Sequence, residues 1–334
     1  MSETQRPVSE GAEQLLGRYF PVLDHGFVAL VDYMGTDECI ERAARVSYGY
    51  GTRKTSQTRG LLRYLRRHYH TTPSEMVELK FHCSMPMFIA RQWIRHRTAN
   101  VNEYSGRYSL MPMLFYTPEA SEFQQQSRTN NQGRSGQAAP SATYAEARKR
   151  WEEIRRLSRD TYEWLAGEQV ARELSRIDLP LSTYTQWYWK IDLHNLLHFL
   201  RLRVDPHAQW EIQEFGRVMA GMLKRIAPMS YEAWIDYDVC GSRLSRMELE
   251  ALRKLVQLED EALSGKPGAR LDQAALEQLG LGRREIRELR DKLAAHSVPD
   301  FELDLSKGLS PDVFRERCQA AVPTIDQQNA PSGG

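Results

Sequence analysis

Three guanidiniums and an imidazole fall within thirteen positions of this chain, at Arg95, His96, Arg97 and Arg107. Charges of one sign this close repel unless an anion lies between them, and the fork of a guanidinium makes phosphate the natural partner. A solvated basic turn is the bland alternative and suits a polar neighbourhood. Here Trp93 and Ile94 precede the triplet and Tyr104 and Tyr108 follow it, so unpaired charge would sit against apolar surface at considerable cost. Asn100, Asn102, Glu103 and Ser105 add amides, a carboxylate and a hydroxyl that can read a planar heterocycle as well as a phosphate. Gly106, between Ser105 and Arg107, lets backbone amides approach an anion closely. A nucleotide satisfies all of these groups at once.

Other chemistry is weaker. Ser105 near His and Glu invites acyl transfer, but no G-x-S-x-G elbow surrounds it. The four cysteines, Cys39, Cys83, Cys240 and Cys318, are scattered, with no CxxC pair, so neither a disulfide framework nor a zinc knuckle is indicated and a reducing, cytoplasmic setting is expected. None lies inside the basic motif. His194 and His198 share a helix face at a spacing of four, yet Asn195, Leu196 and Leu197 stand between them where a zinc helix would carry a glutamate. A structural pair is the preferred reading and metal the minority one. Nucleic-acid binding is the alternative of another class, from the RHR triplet, Arg53, Lys54, Arg59 and RYLRRHYH at Arg63–His70. Against it, Lys plus Arg number 45 and Asp plus Glu 44, which leaves no basic surplus for many phosphates.

The elements that must position these residues follow from periodicity. Gly26–Met34 reads as a buried strand, and Met76–Met85 as a half-buried one with Val77, Leu79, Phe81 and Cys83 on one side. Helical spacing runs over Glu38–Ser47, Gly60–His68 and Met87–Arg95, the last delivering the basic triplet at its end. Further helices are expected at Ala145–Leu165, Glu168–Ser175, Gln186–Leu200 and Pro206–Ile226, with Pro206 in the first turn. Residues 1–25 are polar and expected to be flexible, and 119–141, rich in Gln, Asn, Ser and Gly, to form a mobile loop insertion. Beyond a catalytic domain at 26–243, residues 244–334 are expected to be a helical extension with a disordered NAPSGG end. Helices are placed near Ser245–Glu261, Leu271–Leu279 and Arg283–His296, and deletion after Leu244 should spare turnover. No stretch is apolar enough for a membrane span and no leader pattern opens the chain.

RHR followed within a few residues by E-x-S-G-R-Y-S, in RHRTANVNEYSGRYS at Arg95–Ser109, resembles the signature of flavin-dependent thymidylate synthases. The likeness extends from about Gly26 to Tyr237, about two-thirds of the chain, through HTTPSE at His70–Glu75, RIDLPLSTYT at Arg176–Thr185 and LRVDPHAQWEIQ at Leu202–Gln213. The resemblance implies conversion of dUMP to dTMP, with methylenetetrahydrofolate as carbon donor, FAD as hydride carrier and NADPH as reductant, without an enzyme nucleophile. It implies that Arg95, His96 and Arg97 hold FAD beside His70, Thr72 and Glu75. Gln92, Glu103, Tyr104, Ser105, Gly106, Arg107 and Arg176 would cradle dUMP, with Arg95 and Glu103 reaching both ligands. Asp192, His194 and His198 fall where other members often carry Asn, Arg and Asn and would line the flavin site, Asp192 adding a negative charge that Asn lacks. Arg203 would bind the nucleotide and act catalytically, a fixed cation stabilising negative charge on the pyrimidine; a structural arginine paired with Asp205 or Glu211 is the alternative. The implied architecture is α+β, a mainly antiparallel sheet covered by helices. The implied assembly is a homotetramer with shared active sites, with no nucleic-acid or membrane partner.

Overall fold

Alternation of apolar and polar side chains from Val77 to Met85 requires an extended segment with one buried face. Strand β3 (Glu78–Pro86) is that segment in a computed structural model, which describes residues 6–47, 58–128, 133–252, 273–278, 283, 286–287, 289 and 297–320. It is the middle of a five-stranded antiparallel sheet. The other strands are β1 (Tyr19–Val22), β2 (Gly26–Met34), β4 (Asn100–Glu103) and β7 (Tyr184–Asp192), in the order β1-β2-β3-β7-β4. Val28, Leu30, Leu79, Phe81, Trp187, Trp189 and Ile191 share one face and are buried.

Helices α4 (Met87–Trp93), α7 (Leu193–Arg203) and α8 (Trp210–Ile226) cover that face. Trp93, the last residue of α4, is wholly buried, with ring centroids 5.6 Å from Trp187, 5.3 Å from Trp189, 4.9 Å from Phe199 and 5.8 Å from Phe215. Such aromatic clusters combine a large buried area with preferred edge-to-face geometry. The anchored tryptophan fixes where the chain leaves α4, and the basic triplet begins two residues later.

Further described elements are α1 (Glu10–Glu13), α2 (Asp37–Arg45), α3 (Thr58–Arg67), a 3-10 turn (Thr72–Met76), α5 (Ser141–Gly167), α6 (Arg172–Ser175), α9 (Pro228–Trp234), a second 3-10 turn (Leu305–Lys307) and a helix at Pro311–Ala320. The α+β class expected from the sequence is the class observed. Several local expectations are corrected. Residues 186–192 are not helical: Trp187, Trp189 and Ile191 alternate with Tyr188 and Lys190 at period two, and the helix starts only at Leu193, where Asp192 caps it. Pro206 lies before α8 rather than in its first turn. Of the N-terminal residues expected to be flexible, the described ones, 6–25, include Ala12 and Leu15, which are fully buried, and Tyr19–Val22, which pairs with β2. The polar segment 119–141 is not structureless, because β5 (Gln124–Gln126) and β6 (Arg134–Ala138) pair as a hairpin.

The C-terminal residues divide. Residues 301–320 belong to the same compact unit as the sheet, and residues 233–300 form a second unit. In the first, Tyr19 and Leu309 exchange backbone hydrogen bonds of 3.1 and 2.8 Å, Leu303 is buried against Gly221, and Phe314 stacks on Tyr19 with centroids 4.2 Å apart. The second holds its own small core of Ala251, Leu276, Ile286 and Leu289. Helix is described at 246–252, Gln273–Gln278 and the described positions of 283–289, while the expected NAPSGG end lies outside the described residues.

Candidate active site

The far end of α7 meets the exit of α4. Arg203 Nε donates to His96 Nε2 at 3.1 Å, and its Nη2 donates to the Gln92 carbonyl at 3.3 Å. Both partners are uncharged. Burial, then the neighbouring Arg203 and His198, push the His96 imidazole down to about 4, so it is neutral near pH 7 with its proton on Nδ1. The alternative pairing for Arg203 is not made: Asp205 accepts from the His207 backbone N–H at 2.8 Å, and Glu211 is bonded to Tyr116, Gln209 and Arg134. Burial lowers the Arg203 pKa without removing its proton. A half-buried cation is thus held in place with its charge unneutralised. Arg95 and Arg97 flank His96, both exposed and, among the described residues, without a hydrogen bond or ion pair.

A second group forms where β4 ends. Glu103 accepts from Thr185 Oγ1 at 2.7 Å and the Tyr104 N–H donates to the Gln186 carbonyl at 2.8 Å, which ties the strand end to β7. The chain then turns, with the Ser105 carbonyl accepting from the N–H groups of Tyr108 and Ser109 and Ser105 Oγ accepting from that of Arg107. Gly106 is buried in the turn; a Cβ there would lie 2.7 Å from Met111 Sδ and 3.1 Å from Arg176 Cδ. A side chain here would have to push Met111 and Arg176 aside. Arg107 pairs with Glu173 at 3.0 Å, both side chains more than half exposed, so solvent screens the pair and an anion can displace it.

The remaining expected residues gather at the other end of α7. The turn carrying Thr72 and Glu75 packs against α2 and α7, and Leu193 N–H donates to the Val77 carbonyl at 2.8 Å. His70 stacks on Tyr64 at 5.9 Å. Asp192 accepts from the Asn195 backbone at 2.9 Å and side chain at 2.7 Å, so it serves as the N-cap of α7. His194 Nδ1 is buried with no hydrogen-bond partner, whereas His198 is exposed with its ring 5.9 Å from that of His96. Helix α7 therefore joins the first and third groups along one element. No hydrogen bond or ion pair among the described residues links either to the turn at 104–109. Nor is there, among the described residues, a cluster of three or more His, Cys, Asp or Glu able to hold a metal.

Two cavities of about 470 and 440 Å³ lie under the β5–β6 hairpin and share Glu122, Gln124 and Arg134. None of the expected site residues lines them, but Gln209 lines the second and accepts a hydrogen bond from the Gln92 side chain. Gln209, Arg134 and the buried Glu211 connect to the site through contacts distant in sequence, which no local spacing announces.

A family model described as "Thymidylate synthase complementing protein" matches residues 29–229. The chain is 47% identical over 268 residues to a flavin-dependent thymidylate synthase of Rickettsia bellii (strain RML369-C), covering 77% of this chain and 91% of that one. It is 45% identical over 294 residues to the enzyme of that name from Wolbachia pipientis wMel, covering 88% and 99%. Among solved structures, the UMP/dUMP methylase PolB from Streptomyces cacaoi bound with 5-Br UMP is similar with a TM-score of 0.59 and 29% identity, over 66% of this chain and 98% of that one.

Proposed function

The chain belongs to the flavin-dependent thymidylate synthase family, and from that premise we propose that it methylates dUMP to dTMP. Methylenetetrahydrofolate supplies the carbon, NADPH the reducing equivalents, and FAD links the two. The observation that carries the reading is Arg203, a half-buried cation held by a neutral imidazole and a carbonyl beside two unpaired arginines.

The residues present fit FAD. Arg95 and Arg97 offer unpaired guanidiniums to a diphosphate, the buried His194 Nδ1 lacks a partner that a ring or ribose group can provide, and Thr72 and Glu75 sit on a turn against the same helix. Held there, FAD would supply hydride transfer between NADPH and the carbon unit. The chain's own work is binding and charge placement. Arg107, Arg176 and the backbone of Ser105–Gly106 receive the phosphate of dUMP, and Glu103, held by Thr185, offers a carboxylate to the nucleoside. Arg203 faces the uracil and stabilises negative charge that develops on it. Holding it through neutral acceptors leaves that charge available. Ser105 shapes the turn and is not hydrogen-bonded to any base among the described residues, in keeping with a reaction that needs no enzyme nucleophile.

The active unit in this proposal is a homotetramer in which different chains complete one site. Exposed Ile154, Leu157 and Trp164 on α5, with Leu174, Ile177 and Leu181 beyond it, support a further packing partner. No described helix is long and apolar enough to cross a membrane, and a cytoplasmic setting is part of the proposal.

Arg203→Ala tests the role of the buried cation. Its kcat should fall by about a hundredfold or more, the scale of losing one preorganised electrostatic stabiliser, while the flavin remains bound. Unchanged turnover would remove Arg203 from the mechanism.

A further inference from the structure

A chain of hydrogen bonds runs from the β5–β6 hairpin to the nucleotide residues. At its centre Glu211 is buried to 3% exposure and accepts from Tyr116 Oη at 3.1 Å, from Gln209 Nε2 at 2.9 Å and from Arg134. A buried carboxylate is tolerated only with its lone pairs filled, so these three donors fix one another's positions. Gln209 then accepts from Gln92 Nε2, and a single orientation of its amide makes both bonds, Nε2 donating and Oε1 accepting. Arg203 donates to the carbonyl of the same Gln92. The loop before α8 is braced besides: Gln213 Nε2 donates to the Ala208 carbonyl at 2.7 Å, and Arg217 donates to Gln213 Oε1 at 2.8 Å.

We propose that Gln209, seated by Glu211 and the hairpin residue Arg134, is a positioning residue that holds the Gln92 amide in the orientation needed to bind dUMP. With one side-chain N–H committed to Gln209, Gln92 keeps its side-chain Oε1 and second N–H for the nucleotide, and cannot turn its amide over without breaking the bond. The hairpin is thereby coupled to the nucleotide: without Arg134 the Glu211 carboxylate loses its charged donor on Oε1, and a shift of that carboxylate carries the Gln209 amide bound to Oε2, which lets Gln92 rotate. The inference rests on Gln92 as a dUMP-binding residue.

The test is a double-mutant cycle on the full-length, FAD-loaded enzyme, using dUMP as the probe and reading KM, kcat and the dUMP-induced change in flavin absorbance. Gln209 is exposed, and Glu211 keeps Tyr116 and Arg134 as donors without it, so Gln209→Ala should stay folded and bind FAD, which its Tm and bound-flavin spectrum check. It should raise the KM and Kd for dUMP about threefold to tenfold, the loss expected for one neutral hydrogen bond, with kcat little changed. Gln92→Ala should weaken dUMP binding at least as much, and the double variant no further, because both remove the same interaction. Arg134→Ala should reproduce the Gln209→Ala effect. If Gln92→Ala weakens dUMP binding but Gln209→Ala does not, or if the two effects add, the positioning role is wrong and the nucleotide site stands. If Gln92→Ala itself leaves dUMP binding unchanged, the assignment of Gln92 fails and the inference fails with it.

Discussion

A guanidinium held by neutral acceptors keeps its charge for whatever binds next, and Arg203 is held that way by His96 and the Gln92 carbonyl. The state of His96 is therefore part of the site. Its folded-state pKa lies near 4 against an ordinary 6.5, so the unfolded chain takes up a proton that the folded chain refuses. Stability is then full above about pH 6.5 and falls as the pH drops toward 4, where the imidazolium also repels Arg203. In the ligand-free protein, His96→Gln should flatten the pH dependence of Tm in that window, and an unchanged slope would show that His96 does not contribute to it. At this scale the sequence was most legible where residues are adjacent, since the RHR triplet follows directly on the end of α4, as the helical spacing from Met87 predicts. It was silent on which acceptor Arg203 takes, because His96 is 107 positions away and its selection depends on where two helix ends meet.

Elements were legible wherever one period dominated. Gly26–Met34 forms the strand expected of it, and Leu79, Phe81 and Cys83 are buried on one face of β3. The period changed without a break between Asp192 and Leu193, and the apolar character of WYWKID and LHNLLHFL merged strand and helix into one supposed helix. Hairpin β5–β6 was missed for the opposite reason, since its polar residues carry no periodic apolar face and its pairing depends on cross-strand bonds. The turn after β4 depends on closeness rather than pattern. Gly106→Ala would press a methyl group on Met111 and Arg176, and displacing the turn should weaken dUMP binding by about tenfold or more with FAD binding retained. A dUMP titration of the variant settles it, and wild-type affinity would mean that the turn does not bear on the nucleotide.

For the whole molecule, the boundary drawn at residue 244 treated everything beyond as one appendage. In the structure, residues 301–320 return to the unit that contains the sheet, where Leu309 bonds to Tyr19 and Phe314 covers Tyr19 and Phe27. Composition could not reveal this, because the docking rests on a few residues, Leu303, Leu309 and Phe314, in an otherwise charged stretch. Deletion after Leu244 should therefore lower Tm by several degrees instead of passing unnoticed, given that about 1 kcal/mol shifts a unit of this size by about 2–4 °C. An unchanged melting curve would show the returning segment to be dispensable. The central claim, a site shared by flavin and nucleotide, is tested most directly by the visible absorption spectrum of the purified full-length protein, recorded with FAD and again after dUMP. A bound-flavin spectrum that shifts on dUMP addition is the expected result. Failure to bind flavin, or a flavin spectrum indifferent to saturating dUMP, would contradict it.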